Sequence, residues 1–525
     1  MKTDAVNRTI GPYLPSRKYL PIVIVAVLLI ALAIRLIFAL TAQHPGHGDQ
    51  AFYLTLAENL ADGRGFEVDY IWNYLSQPEN IPCFSNDYWM PLTAVIISLS
   101  LSIFGKSLII ALLPSILFGL TLSVIAYFIG KTYLSSRFVI YYSSAVVLFI
   151  PALFKYSLLT DSTIFYAVFV SLSLLFTTKG MKKPGYFLLS AICACLAHLT
   201  RQDGVLLVPI LIFAMLISPY RRKTKYMILV TSMVLYVIIL LPLLIGNYKT
   251  FGALFPPGPF KTIFLTEYED IYSYSRELSL RTYLAWGLPN ILLSKIKIGL
   301  YNIKTLFELS GYFICIFAFV GIFETVISRD KKRQIYFPFL LYLLLLYFFY
   351  SLIATFPSSY GGFYRSAMSL IPFFLVISMD TIWRHIPSKQ TVFLIVILIT
   401  TVFMANSIYS ARKMIITNSK INQQLTQLKD VLQNDIKADN DAVIMTRGPW
   451  EVFYTTGYKT IQIPNENIDT IYEVALKYGA DYLLLPAPRK ALEDIYSGTR
   501  VDARFKLIAN IKDTDLKLYR INQPD

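Results

Sequence analysis

His44-Pro45-Gly46-His47-Gly48-Asp49-Gln50-Ala51-Phe52-Tyr53 is the stretch on which the reading of this chain turns, and it continues through Leu60-Ala61-Asp62-Gly63-Arg64-Gly65-Phe66. Immediately before it, residues 20–42 are apolar for long enough to cross a bilayer, which takes about 20 residues in a helix. After it the chain stays polar to residue 90. An aspartate held where a span leaves the bilayer can reach both a lipid head group and a water-soluble molecule. Asp49 is therefore the candidate catalytic base, with the other elements arranged to serve it.

Composition sets the class. The chain is 55% hydrophobic and 15% charged, with mean hydropathy +0.53, far from a soluble average. Segments of spanning length recur up to about residue 409, so a polytopic helical membrane protein with about eleven spans is predicted. The excess of 48 Lys and Arg over 33 Asp and Glu sits in short loops between spans. That distribution fits the positive-inside rule better than a nucleic-acid-binding face, and no nucleic-acid partner is expected. Among the four cysteines, Cys83 is in a loop and Cys193, Cys195 and Cys315 are in apolar segments, so neither a disulfide framework nor a zinc spacing emerges. No small-residue cleavage pattern follows the first apolar run, which reads as a retained span.

Charge alternation orders the chain. Arg8, Arg17 and Lys18 place the N-terminus in the cytoplasm, and span 20–42, carrying Arg35, exits to the other face. Arg35 must either snorkel or face the bundle interior. The acidic loop 43–90 marks the external side; within it 49–61 reads as a helix along the interface, and 91–104 as a second juxtamembrane helix. Spans at 108–130, 138–158 and 161–178 follow, with Asp161 at the external head of the last. A hairpin of two short arms, 186–199 and 204–218, turns outward at Thr200-Arg201-Gln202-Asp203-Gly204 between basic flanks. Span 226–246 leads to a large external loop, 247–302, holding Lys261, the Glu267–Asp270 run and an interfacial helix at 286–300. Spans at about 303–327, 335–355, 366–382 and 390–409 complete the bundle, with a cytoplasmic cluster Arg329, Lys331, Lys332, Arg333 and an external Tyr360-Gly361-Gly362-Phe363-Tyr364-Arg365. Two domains are expected: 1–410 in the membrane, and 411–525 as a small external α/β domain. In the latter a polar helix at 417–437 precedes strands at 442–446, 461–463, 481–485, 505–511 and 515–521, with an amphipathic helix at 467–478. It holds no phosphate loop or His/Cys cluster, and an accessory role is expected.

This topology gathers Asp49, Asp161, Arg201, Asp203, the 247–302 loop and Arg365 on one side. Transferring a sugar from a lipid phosphate needs a carboxylate for the acceptor's proton and cations for the charge growing on the leaving phosphate. Each residue also has a plainer reading. Gly48-Asp49 before a helix makes Asp49 an ordinary N-cap, Asp161 or Thr160 caps the next span, and Arg201 pairs with Asp203. Lys261 and the acidic run after it read equally as solvated charges on a mobile lid. His44 and His47 lie close enough to Asp49 to offer ligands to a divalent cation, although a loop with a proline and two glycines is commonly only a loop.

Together these pieces resemble the GT-C glycosyltransferases, closest to the protein O-mannosyltransferase-like and aminoarabinose-transferase-like branch. The resemblance rests on Gly48-Asp49-Gln50-Ala51-Phe52-Tyr53, Leu56-Ala57-Glu58-Asn59-Leu60, Arg35, Met90-Pro91-Leu92, Phe104-Gly105 and Leu159-Thr160-Asp161. It includes Leu199-Thr200-Arg201-Gln202-Asp203-Gly204, similar to the family's Thr-Arg-Pro-Glu-Gly type of turn, and extends to Asn247-Tyr248 with Phe251-Gly252 and Pro256-Pro257. Two departures stand out: Gln50 where many members have Glu, and Tyr88-Trp89-Met90 where a basic or His-Pro-Pro lead-in is expected. The resemblance implies an inverting transferase in the plasma membrane that uses a polyprenyl-phosphate-linked sugar and acts at the external face on a lipid, glycan or protein acceptor. It assigns Asp49 as base or acceptor-orienting group and Asp161 as the second acid. Arg201 with Asp203, and Lys155, Lys261 or Arg365, are the candidates for sugar and phosphate contacts. The competing reading is a transporter or lipid flippase, which predicts paired inverted repeats with helices broken near the midplane; the sequence contains none.

Overall fold

The computed structural model describes residues 19–134, 136–327, 333–354, 361–485 and 489–524. The basic N-terminal residues Arg8, Arg17 and Lys18, the cluster residues Arg329, Lys331 and Lys332, and Tyr360 lie outside the described residues.

The first span is the helix Leu20–Thr41. Among the described residues seven helices are long and apolar enough to cross a membrane, or eight if a bent pair counts as one span. The other three segments expected as spans, Arg137–Phe149, Tyr186–Thr200 and Gln202–Ile217, are apolar helices shorter than that length. The segment read as one span over 138–158 is broken. Helix Arg137–Val146 gives way to a 3-10 turn, and a new helix starts at Pro151 and runs to Tyr156. Pro151 has no N–H to give and pushes Ile150 to an extended backbone (ψ 122°), so the helix cannot continue. Arg35, 1% exposed, fills the break from the first span: it donates to Leu148 O at 2.7 Å and Ser157 Oγ at 2.9 Å. Of the two fates open to Arg35, the interior one is realised.

The span expected at 303–327 is likewise two helices. Leu288–Ser310 and Tyr312–Ile327 meet at 109° across Gly311. Gly311 has φ +80°, and a Cβ there would come within 2.9 Å of Phe403, so both backbone and packing require glycine.

The last membrane helix runs unbroken from Lys389 to Asp430, 42 residues that include neither Gly nor Pro. At 1.5 Å per residue it is about 63 Å long, twice the bilayer core. Its distal end, with Ile421, Leu425 and Leu428, packs on one face of a six-stranded sheet. The composition change near residue 411 is therefore not a break in the chain, and the polar helix expected separately at 417–437 is its continuation. Helix Ile468–Lys477 covers the opposite sheet face through Ile471, Val474 and Ala475.

The sheet order is Tyr70–Ile71, Lys459–Gln462, Val443–Thr446, Ala480–Leu485, Lys517–Ile521, Phe505–Asn510. The first four strands are parallel, Lys517–Ile521 runs opposite to them, and Phe505–Asn510 pairs antiparallel with it. Its edge strand comes from the loop after the first span, with Tyr70 opposite Thr460 and Ile71 opposite Ile461. A two-stranded ribbon, Glu67–Val68 with Cys83–Phe84, braces the same loop. The loop is thus built into the C-terminal sheet. Helix Asp49–Ala61 is covered by protein: residues 51–57 are buried, against Leu92–Phe104 and the helix Pro449–Thr456.

Candidate active site

The site lies where the first span, the head of Ser162–Gly180 and the head of Gly362–Ala367 come together. Helix Asp49–Ala61 starts after Gly48, whose φ of +56° suits glycine and turns the chain out of the span. Asp49 therefore stands in the first helical turn, and the N-cap position expected for it belongs to Gly48. Asp161 caps the next helix, its Oδ1 accepting from Thr163 N at 2.7 Å and from the Thr163 hydroxyl. Its other oxygen, Oδ2, accepts from Gln50 Nε2 at 3.3 Å. Thr160 Oγ1 donates to Gln50 O at 2.8 Å, so the two acidic segments are fastened to each other.

Arg365 bridges the two carboxylates. Its Nη1 contacts Asp49 Oδ2 and lies 3.5 Å from Asp161 Oδ2. Its Nε is buried without an acceptor. The Asp161 side chain is 0% exposed and fully engaged, whereas Asp49 is 16% and Arg365 19% exposed. Of the two acids only Asp49 can be reached from outside.

Arg201 is held beside this cluster. Its Nε donates to Asp203 Oδ1 and to Ser366 Oγ, both at 3.2 Å, and Nη2 lies 3.5 Å from Tyr350 Oη. Asp203 is in turn bonded by Tyr166 Oη at 2.9 Å, and Tyr166 meets Tyr342 at 2.9 Å. The pairing of Arg201 with Asp203 weighed from the sequence is present, and Asp203 serves as its counter-charge. Gly204 lets the turn close: a Cβ there would sit 2.3 Å from His198 N. The tyrosines and Ser366 were invisible to sequence reasoning. The available signal was three tyrosines, Tyr166, Tyr342 and Tyr350, placed deep in apolar helices.

The remaining candidates do not join the ion pairs of this cluster. Lys261 Nζ is spent on Leu75 O at 2.6 Å, outside the carboxylate cluster. Lys155 feels Asp161 and Lys413 electrostatically and stands 5.9 Å from the Tyr156 ring. The Glu267–Asp270 run is not a free lid. Asp270 accepts from Thr266 and Glu267 and pairs with Arg276, while Glu269 pairs with Arg447 and Arg489 in the loops that follow two of the strands.

His44 and His47 face helix Pro449–Thr456. His44 Nε2 is 3.2 Å from Thr455 Oγ1 and its Nδ1 accepts from Gly46 N. His47 Nδ1 is 3.1 Å from Glu451 Oε1. Burial pushes His44 down to about 4, whereas Glu451 raises His47. The described residues contain no group of three or more His, Cys, Asp or Glu placed to hold a metal ion. Between Asp49 and Asp161 the Arg365 guanidinium takes the place that a divalent cation would need. These residues do not fit a resident metal.

The family model of dolichyl-phosphate-mannose-protein mannosyltransferases matches residues 89–245, which hold Asp161, Arg201 and Asp203. ArnT from Cupriavidus metallidurans in the apo state superposes with a TM-score of 0.59 at 10% identity, covering 94% of this chain and 97% of that one. The chain has the GT-C glycosyltransferase fold. ArnT bound to undecaprenyl phosphate matches with a TM-score of 0.57 over the same shares, also at 10% identity. The oligosaccharyltransferase of Archaeoglobus fulgidus, crystallised with Zn and sulfate, matches at 0.56 and 14% identity over 90% of this chain and 69% of its own. No curated protein sequence matches the chain.

Proposed function

We propose that this chain is an integral-membrane glycosyltransferase that moves a sugar from a polyprenyl-phosphate donor to an acceptor hydroxyl at the external face of the membrane, with inversion. The observation that carries the reading is the meeting of Asp49, Asp161 and Arg365 beside Arg201, at the end of the bundle. One reachable carboxylate, one buried carboxylate and two cations are the parts that the chemistry needs.

Asp49 takes the proton of the acceptor hydroxyl. The hydroxyl oxygen bonds to the anomeric carbon as the bond from that carbon to the phosphate oxygen breaks on the opposite face. The electron pair leaves with the polyprenyl phosphate. Arg365 and Arg201 neutralise that charge, Arg201 being held in place by Asp203, Ser366 and Tyr350. Asp161, with every oxygen occupied, positions Arg365 and Gln50 and does not exchange protons with substrate. When donor phosphate draws on Arg365, Asp49 loses its partner and becomes available as base.

The external placement is supported by charge. Basic groups such as Lys179, Lys182 and Arg222 stand at the helix ends remote from the site, as expected for cytoplasmic loops. We read the N-terminus as cytoplasmic and the C-terminal sheet as lying outside the plasma membrane, where it braces the first loop as an accessory unit. ArnT holding undecaprenyl phosphate supports a lipid-phosphate donor. The test is purified protein in detergent, without any gradient, given a polyprenyl-phosphate sugar and a hydroxyl acceptor. Release of free polyprenyl phosphate together with glycosylated acceptor is expected. Substrate movement across vesicles without release overturns the reading in favour of transport.

A further inference from the structure

A cleft of about 360 Å³ opens between residues 68–87 of the first loop and the end of the span Arg222–Phe251. Pockets of this size take small ligands. It is separate from the Arg201 and Arg365 cluster, but Phe52, one helical turn beyond Asp49, forms part of its wall.

Its chemistry is selective. None of the described lining residues is Lys, Arg or His, while Glu79 and Asp87 bring two carboxyl groups. A phosphate or other anion would meet acids and no counter-charge. A lipid tail would meet Asn73, Ser76, Gln77 and Asn80 among the apolar groups, leaving them without partners. One polar atom already lacks a partner: Asn73 is 3% exposed, its Oδ1 accepts from Leu75 N at 2.9 Å, and its Nδ2 has no acceptor. Burial pushes the Asp87 carboxyl up to about 7, against the hydrogen bonds it takes from the Ser76 side chain and from the backbone of Asp87 and Tyr88. Aromatic walls from Phe52, Phe84 and Phe251 complete the lining. A polyhydroxylated ring satisfies both halves of this surface, offering hydroxyls to amide, carboxyl and hydroxyl groups and C–H faces to the aromatic rings.

We propose that this cleft binds the acceptor as an uncharged glycan unit of one or two sugar rings, delivered to Asp49 along the Phe52 wall. The proposal rests on the transferase reading, and its test does not require turnover. Full-length protein in detergent is titrated with neutral disaccharides, mannobiose and maltose, and binding is followed by saturation-transfer NMR. Wild type is expected to give ring-proton signals. Asn73→Asp, which keeps the acceptor for Leu75 N and removes the amide donor, is expected to bind at least about tenfold more weakly. Thr250→Trp fills the exposed mouth and is expected to abolish the signal, so the test does not depend on one buried variant. Both variants are first checked for an unchanged unfolding temperature. Binding that is indifferent to both changes, or capture of a peptide or anionic lipid in place of the disaccharides, overturns the proposal while leaving the transferase reading intact. Disaccharide binding without sugar transfer sinks the transferase reading and leaves the cleft assignment standing.

Discussion

Arg365 Nη1 and Asp161 Oδ2 stand 3.5 Å apart, joined from the heads of two different helices, and the same nitrogen contacts Asp49 Oδ2. A cation shared between two carboxylates can change partner without being left uncompensated. A phosphate arriving at the site competes with both acids for it, so donor binding and release of the base are one event. The model implies that Arg365→Gln loses the phosphate contact and leaves two like charges facing each other. Donor kcat/KM is expected to fall by about 10²–10³, the usual loss for a group that stabilises developing charge. Kinetics within threefold of wild type would remove Arg365 from the mechanism.

The two aspartates are expected to fail differently. Asp49→Asn keeps size and helix start but cannot accept a proton, so kcat falls by about 10²–10⁴ with donor affinity retained. Asp161→Asn keeps the cap to Thr163 N, since asparagine caps as well as aspartate. Its loss is of the charge that holds Arg365, so donor KM rises more than kcat falls. Measuring both parameters for both variants decides the assignment, and identical profiles would contradict it.

Proton linkage at the loop is a separate matter. His47 is raised above its ordinary 6.5 by Glu451, while His44 beside it is held neutral near 4 by burial. A histidine raised in the folded state stabilises it fully below the unfolded value and loses that contribution as pH rises through the folded one. The tie between residues 43–48 and helix Pro449–Thr456 is therefore tightest in mild acid and loosens towards pH 8. Because His47 is 61% exposed the effect is small and local. Amide exchange in 449–456 should quicken from pH 6 to pH 8, after correction for intrinsic rate, and Glu451→Gln should flatten that dependence. A wild-type profile already flat would dismiss the link.

Local signals carried much of the architecture into the sequence, and non-local ones did not. Thr160-Asp161-Ser162 is a cap that can be read from neighbours alone, and the helix after Gly48 follows from a glycine and a run of helix formers. Pro151 and Gly311 were legible breakers as well, but length and hydropathy outweighed them and two broken segments were read as whole spans. The absence of any breaker over 389–430 was the matching error in reverse, since a composition change was taken for an end. Tyr70–Ile71 could not be foreseen as a sheet edge, because two residues hold no periodicity and their partner lies at Thr460–Ile461. The same holds for Arg365. Its placement outside a span was readable, but its position between Asp49 and Asp161 depends on how three helix heads meet.

Arg35 shows how the break at Pro151 bears on the site. A carbonyl freed inside a bundle has no water to turn to, and Leu148 O finds Arg35 Nη2 at 2.7 Å. The guanidinium also holds Ser157 Oγ and lies 4.3 Å from the Phe154 ring, so one side chain ties down the segment that leads to Asp161. Arg35→Met relieves the burial of a charge, which favours the variant, but strands Leu148 O, which does not. Ser157 Oγ keeps its bond to Phe154 O at 2.6 Å and Ala31 O keeps its place in the helix, so one carbonyl bears most of the loss. The net destabilisation is expected at about 1–3 kcal/mol, the cost of one unpaired buried acceptor. Arg35→Lys, which can still reach one oxygen, should fall between. Turnover should drop with stability, through a displaced Asp161, while donor affinity per folded molecule changes less. Thermal unfolding in detergent with parallel kinetics reads both, and an Arg35→Met variant as stable and as active as wild type would show that the break does not need its cation.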